Sequence, residues 1–376
     1  MGRHARQFIL CLIVVVFVGC VVINRQVVFD QVLVPTYVTT STTVQHLKTG
    51  ISNSPFTQPP FARTSIASSL QENSTRLSHT VVNASSPRNG TRPRYYFEFN
   101  TLFENESLCH DNPQIVMSIF SAPADFSNRA VLRQTWAKSL EYMGVKVRVV
   151  FLLGRQLNWL NQSQIVAEGN KFGDILQQDF IDSYHNLSLK RLASIEWQAR
   201  RCPNTYWTVK ADDDLFVNRY RLIEFYHYYR EHKLSGFYCS VLGRSRVLRA
   251  GKWKVSVEEY PDKFYPPYCL GLLTICTLNE SLRLYEAAKT SKLLWVEDAF
   301  TAGVLRVAAG VSMHGFLQQP PFIAQWNINP KRQMPNVRNS IVLNKRHRKE
   351  HDLWFQFADI LNKTFASSSP SVEVNV

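Results

Sequence analysis

At 376 residues, with 45% hydrophobic and 12% aromatic content, the chain can bury one large core and carry appendages, which excludes a wholly disordered protein. A formal net charge of +14 suits nucleic acid, anionic small substrates and acidic glycans alike, so it defines a charge class and no partner. Seven cysteines without CxxC or Cys/His spacing argue against a zinc fold.

Residues Phe8 to Ile23 form an unbroken apolar run between Arg3, His4 and Arg6 on one side and Asn24 and Arg25 on the other. No small-x-small cleavage site closes the run, and β-branched residues continue through Val27 and Val28. We read it as an uncleaved signal-anchor over 8–23, with residues 1–7 cytoplasmic and the bulk of the chain lumenal. Asn73, Asn83, Asn89, Asn105, Asn161, Asn186, Asn279 and Asn362 each begin an N-glycosylation sequon, which fits secretory passage and leaves no role for nucleic acid. Residues 24–108 are rich in Ser, Thr, Asn and Pro and predict a flexible glycosylated stem, with Tyr95-Tyr96-Phe97 docking onto the adjoining domain. Cys109, Cys202, Cys239, Cys269 and Cys276 then face an oxidising lumen, where at most two bridges form and one thiol is left over. Their connectivity stays open.

The folded domain is expected over 109–365, with 366–376 a disordered tail. Gln114 to Phe120 and Val145 to Leu153 are dense in apolar residues and predict buried strands. Helices are predicted over Asp125 to Ser139, Asn158 to Asn170 and Asn186 to Arg201, with a short strand from Asp174 to Phe180. Tyr206 to Val209 enters the sheet, Arg219 to His232 forms the next helix and Phe237 to Leu242 another strand. Arg244 to Lys254 is basic loop, Pro261, Pro266 and Pro267 stiffen the stretch up to Cys269, and Leu270 to Leu278 is apolar. Helices resume at Ser281 to Lys289, Phe300 to Ala309 and Glu350 to Leu361. This alternation gives an α/β domain with a mostly parallel central sheet.

Two acidic spots end apolar segments: Asp212-Asp213-Asp214 and Glu297-Asp298. Three adjacent carboxylates repel one another unless a cation joins them, and hard divalent cations bridge carboxylates to diphosphates. The end of an α/β strand is also where such sheets bind ligands. A solvated acidic turn is the plain alternative for the first spot, and a helix N-cap for the second. A transfer from a nucleotide-activated donor needs both functions, a cation for the departing diphosphate and a carboxylate to take the acceptor proton.

Six segments in order resemble one family, the inverting β1,3-glycosyltransferases that include galactosyl- and N-acetylglucosaminyltransferases. Arg129 to Trp136 resembles its R-x-x-I-R-x-T-W motif, Phe151 to Gly154 its F-L-L-G strand, and Asp174 to Lys190 its D-I-x-x-x-D-F-x-D-x-Y-x-N-L-T-L-K segment. Lys210 to Asn218 fits K-x-D-D-D-x-F-V-N, Lys252-Trp253 with Tyr265 to Gly271 resembles K-W…Y-P-x-Y-x-x-G, and Glu297-Asp298 fits E-D-V. The resemblance covers about residues 109 to 310 and implies a GT-A-like nucleotide-sugar-binding domain, a UDP-sugar donor, Mn²⁺, and β1,3 linkage with inversion. Carried over by position, Asp298 is the general base and Asp214 the principal metal ligand, with Asp212 near ribose and metal. His347 is the C-terminal candidate for completing the metal set, with His314 as competitor. Arg129, Arg133, Asp179, Lys190 and Asp213 fall to the UDP-sugar, and Trp253, Tyr268 and Glu297 to the sugar and acceptor.

The expected protein is therefore a Golgi type II membrane hexosyltransferase, galactose first among donors. Its acceptor is a glycan on glycoprotein or glycolipid, and a homodimer is compatible. N-acetylglucosaminyl or N-acetylgalactosaminyl transfer, or a non-catalytic glycan-binding protein on the same fold, are the alternatives. Leu272-Leu273 after Gly271, Ala299 after the acidic pair and Ala302 depart from the family pattern. They bear on donor and acceptor identity more than on reaction class.

Overall fold

The computed structural model describes residues 83–84, 94–156, 161–316, 323–325, 334–344 and 351–365. All of them fall within one compact unit, Ala67–Val376. The second unit, Met1–Ile66, lies outside the described residues, as do the expected span, most of the stem, the C-terminal tail, Asn73, Asn89 and His347. Among the described residues no helix is long and apolar enough to cross a membrane.

The strands are β1 (Thr101–Phe103), β2 (Ile115–Phe120), β3 (Leu140–Tyr142), β4 (Val145–Arg155), β5 (Ile175–Ile181), β6 (Trp207–Asp212), β7 (Leu215–Val217), β8 (Phe237–Leu242), β9 (Tyr268–Thr277), β10 (Met313–Gly315), β11 (Ile323–Gln325) and β12 (Ser340–Asn344). The helices are α1 (Phe126–Thr135), α2 (Gln162–Phe172), α3 (Leu187–Arg201), α4 (Arg219–Glu231) and α5 (Leu278–Ala288). They continue with α6, a run of Glu297–Ala299, a π-helical Phe300–Leu305 and Arg306–Ala308, and end with α7 (His351–Phe365).

One nine-stranded sheet runs β10-β8-β9-β6-β2-β4-β5-β1, with β3 beside β4. Its centre, β6-β2-β4-β5, is parallel. The flanks are mixed: β9, β1 and β3 pair antiparallel with β6, β5 and β4, and β8 pairs antiparallel with β9 but parallel with β10. The parallel strands are buried on both faces, which is why they read as unbroken apolar runs. Alternation along β2 still sorts the two sides. Ile115, Met117 and Ile119 join the core that holds α4 and α7, while Val116 and Phe120 pack with Trp197 of α3. A third cluster builds the flank, with Leu192 of α3, Leu284 of α5 and Phe300 and Leu305 of α6.

Local signals place the ends. Gly173, at φ 65°, closes α2 in the left-handed conformation that glycine tolerates. Thr277 and Glu280 form a capping box on α5. Asn218 caps α4 by accepting from the Arg221 N–H at 3.1 Å, and its Nδ2 donates to the Val337 carbonyl at 3.1 Å. The last residue of the K-x-D-D-D-x-F-V-N segment is thus a fully buried joint to the C-terminal segment, where β12 pairs with β7.

The folded unit reaches into the stretch expected as stem. β1 joins the main sheet, the Tyr95 N–H donates to the Lys289 carbonyl at 2.7 Å, and Phe97 packs against Tyr285, so the aromatic patch docks. Cys109 bridges Cys202 and Cys239 bridges Cys269, leaving Cys276 as a buried free thiol.

Candidate active site

Because β2, β4, β5 and β6 are parallel, their carboxyl ends share one edge. Phe120 lies in register with Asp212 on one side and Leu152 on the other. Asp212 ends β6, and the turn Asp213-Asp214 leads into β7. Asp213 is turned inward at 4% exposure, and its carbonyl accepts from Asn128 Nδ2 at 2.9 Å. The side chain of Asp212 is one-third exposed, at 34%. Asp214 Oδ1 is buried and meets no hydrogen-bond donor among the described residues. A buried carboxylate oxygen without a donor is costly, and it is what a cation site looks like without its cation.

Lys210 joins the two acidic spots. Its buried ammonium donates to Asp212 Oδ1 at 2.7 Å and to the Gly271 carbonyl, and it stands 3.6 Å from Glu297 Oε2. Facing several carboxylates, it is held protonated well above the usual lysine range despite its burial. Burial pushes the Asp212 carboxyl up to about 6, with Lys210 opposing. Asp298 is pushed up to about 7 by burial first and the Glu297 charge second, with Lys210 pulling it down. It accepts from the Gly271 backbone, and β9 and α6 meet so closely there that a Cβ on Gly271 would land on Asp298 Oδ1.

Glu297 and Asp298 line a cleft of about 320 Å³ whose other walls include Tyr184, Trp253, Tyr268 and Trp295. Trp253 is 48% exposed and donates from Nε1 to the Tyr184 hydroxyl at 2.8 Å, so it is a cleft wall and not core. Aromatic faces over a carboxylate suit a sugar, whose C–H face packs on rings while its hydroxyls find polar partners. The structure thus brings together Asp298, Glu297, Trp253 and Tyr268, and sets Asp212 and Asp214 beside them through Lys210.

Other residues expected at the nucleotide are engaged within the protein. Arg129 is fully buried and bonds Glu168 at 2.7 Å and the Ala122 and Pro123 carbonyls at 2.6 and 3.1 Å. Arg133 pairs with Glu168 at 2.6 Å and Asp174 at 2.7 Å. Both guanidinium groups hold Glu168 of α2; Arg129 ties it to the turn after β2 and Arg133 to Asp174 at the α2–β5 joint. Asp179 accepts from Arg155 at 2.6 Å. Lys190 donates to the Ser121 carbonyl at 2.7 Å and to Asp182 at 2.8 Å, and Asp182 also accepts from the Gly154 N–H at 2.7 Å. These pairs stand at the carboxyl edge and fix its outline.

His314 stacks on Tyr238 near the start of β8, the end of the sheet remote from the acidic turn. Among the described residues His351 reaches toward the turn, through a 3.3 Å contact with Asn128 Oδ1 and from Asn128 to the Asp213 carbonyl. No three His, Cys, Asp or Glu residues converge as a metal set among the described residues. Asp212 and Asp214 suit a cation that keeps several ligands from a diphosphate or water. Among the sequons, Asn279 and Asn362 are exposed. Asn105, Asn161 and Asn186 are half-buried, with Nδ2 donating to Gly173, Gln156 and Ile181. Trp295 and His351 carry no sequence signal, whereas Lys210, Asp182 and Tyr184 stand at fixed positions of the quoted motifs without having been assigned a role.

The profile of the family described as Galactosyltransferase matches residues 127–316, which contain both acidic spots and the cleft. The chain is 32% identical over 221 residues to Beta-1,3-galactosyltransferase 1 of Homo sapiens, spanning 57% of this chain and 67% of that one. It is 33% identical over 215 residues to UDP-GalNAc:beta-1,3-N-acetylgalactosaminyltransferase 1 of Sus scrofa, spanning 55% and 64%.

Proposed function

This chain belongs to the galactosyltransferase family, and from that premise we propose that it moves a hexose, galactose first, from a UDP-sugar to a 3-hydroxyl of a glycan, in β1,3 linkage with inversion. The observation that carries the reading is Asp298 in the aromatic cleft, beside Glu297, which Lys210 joins to Asp212 at the head of the acidic turn. The acceptor hydroxyl lies in the cleft and gives its proton to the Asp298 carboxylate. Its oxygen attacks the anomeric carbon from the face opposite UDP, and the bond to the UDP oxygen breaks as the new one forms. Lys210 orients Asp212 and Glu297, while the walls Tyr184, Trp253, Tyr268 and Trp295 limit water. Asp214 and Asp212 would hold Mn²⁺, which supplies positive charge for the departing diphosphate. The apolar run at Phe8 to Ile23 supports a single-pass type II Golgi placement, with the domain lumenal.

The test is UDP release by the purified full-length chain with Mn²⁺, screened over UDP-galactose, UDP-N-acetylglucosamine and UDP-N-acetylgalactosamine with a panel of sugar acceptors. Release with one donor, abolished in Asp214→Ala, is the expected result and names the sugar. Folded protein that neither releases nor binds UDP would make it a glycan-binding protein on this fold.

A further inference from the structure

One wall of the cleft is built by the loop that the Cys239–Cys269 bridge closes, through Arg246, Leu248, Trp253 and Tyr265. Within that loop two short segments pair, with Arg246 opposite Phe264. The Val247 N–H donates to the Lys263 carbonyl at 3.0 Å and the Tyr265 N–H to the Ser245 carbonyl at 2.9 Å. Val247 and Tyr265 are buried and pin the pair to the domain. Arg249 folds the rest of the loop, donating to the Val255, Ser256, Tyr260 and Asp262 carbonyls.

Three other cations of the loop have no such task. Arg244, Arg246 and Lys263 are exposed, and none forms an ion pair among the described residues. Arg246 lines the cleft that holds Asp298. Arg244 lies 4.4 Å from the centre of the Phe264 ring, and both border a second, open groove of about 490 Å³ with Lys263 and the Pro266-Pro267 rim. Tyr265 lines both spaces, so the groove adjoins the cleft. The groove holds one carboxylate, Asp262.

Resting on the reading of the cleft as the acceptor site, we infer that the preferred acceptor is an anionic glycan, with a sulfate ester or carboxylate on the sugar next to the reacting residue. Arg246 and Arg244 hold that oxyanion, and the sugar bearing it packs on Phe264. A guanidinium fork matches a planar or tetrahedral oxyanion through paired donors, and Arg244 is already held in place by its ring. Lys263 adds a point charge. Adjacency to the acceptor cleft favours a glycan over an acidic peptide.

The experiment measures binding of the full-length chain, with UDP and Mn²⁺ present, to immobilised disaccharides of one skeleton in neutral, sulfated and uronic-acid forms. Salt is held at about 0.15 M, where exposed charges more than about 8 Å away are screened. At least one anionic form binds about tenfold more tightly than the neutral form, as a charge-assisted pair provides. Arg246→Gln and Arg244→Gln each bring that ratio toward one, whereas the charge-matched surface change Lys363→Gln does not. The sulfate and carboxylate arms identify the anion. Equal binding of neutral and anionic forms, a preference indifferent to both Arg variants, or equal capture of an acidic peptide overturns the inference. Because binding needs no turnover, failure of the transferase reading shows separately, in the donor screen.

Discussion

The ammonium of Lys210 stands 3.6 Å from the Glu297 carboxylate and so ties the end of β6 to the start of α6. It is the buried cation among Asp212, Glu297 and Asp298. Replacing it with an apolar side chain leaves those carboxylates uncompensated, which costs about 3–5 kcal/mol. Lys210→Met is therefore expected to lower the melting temperature by roughly 10 °C, and calorimetry checks it. A variant that melts like the parent would show that the cluster is solvated and not held by this lysine.

Asp298 must be ionised to take a proton. Burial and Glu297 raise it to about 7, so it is protonated and inactive at lower pH, and kcat/KM should climb with pH through that range. A bound divalent cation lowers nearby carboxylates and sets the limb at or below pH 7. Asp298→Asn removes the limb and lowers kcat by about 10²–10⁴-fold, while UDP binding by calorimetry stays intact. Wild-type kcat in that variant would end its assignment as the base.

The donorless Oδ1 of Asp214 predicts a stability effect apart from turnover. Mn²⁺ with UDP at about 100 times Kd stabilises the native state by about 2.7 kcal/mol, a rise of roughly 5 °C or more in melting temperature. Asp214→Ala should erase this rise and keep the melting temperature of the cation-free chain, or increase it by relieving carboxylate repulsion. An unchanged Mn²⁺ response would move the cation site elsewhere.

Gly271 is required by close approach and not by an unusual backbone angle. A methyl there collides with Asp298 Oδ1 and Glu297 Oε2, both on α6. Gly271→Ala is expected to lower kcat by about 10²-fold through displacement of the base, because about 1 Å of misplacement costs that much. Circular dichroism and UDP binding should change little. Full activity would mean that Asp298 sits away from β9 in the working enzyme.

How much of the molecule was legible in the sequence depends on where the information lies. β2, β4 and helices such as α3 announce themselves because burial on both faces or on one stripe leaves a pattern within a dozen residues. β7 does not, since its pairing partner is β12, more than a hundred residues later, and nothing in Leu215–Val217 specifies that register. The acidic spots were visible as composition, but their connection through Lys210 is tertiary. Arg129 and Arg133 stand out through the motif, but their partners Glu168 and Asp174, on α2 and at the α2–β5 joint, are tertiary and carry no local signal. A tryptophan in a loop can serve core or cleft alike, and only the fold places Trp253 in the cleft wall.

The two disulfides should separate stability from acceptor recognition. Cys109–Cys202 lies before β2 and β6, at the end of the strands opposite the site. Cys239–Cys269 closes the loop that carries Arg246, Trp253 and Tyr265, walls of the cleft. Removing either bridge by paired Cys→Ala changes is expected to cost about 2–4 kcal/mol, read as a fall in melting temperature. Only loss of Cys239–Cys269 also frees the loop, so it alone should raise the acceptor KM, with the donor KM unchanged. Equal effects of the two variants on acceptor KM would mean that the loop is held by Val247, Val255 and Tyr265 in the core, with the bridge adding only stability.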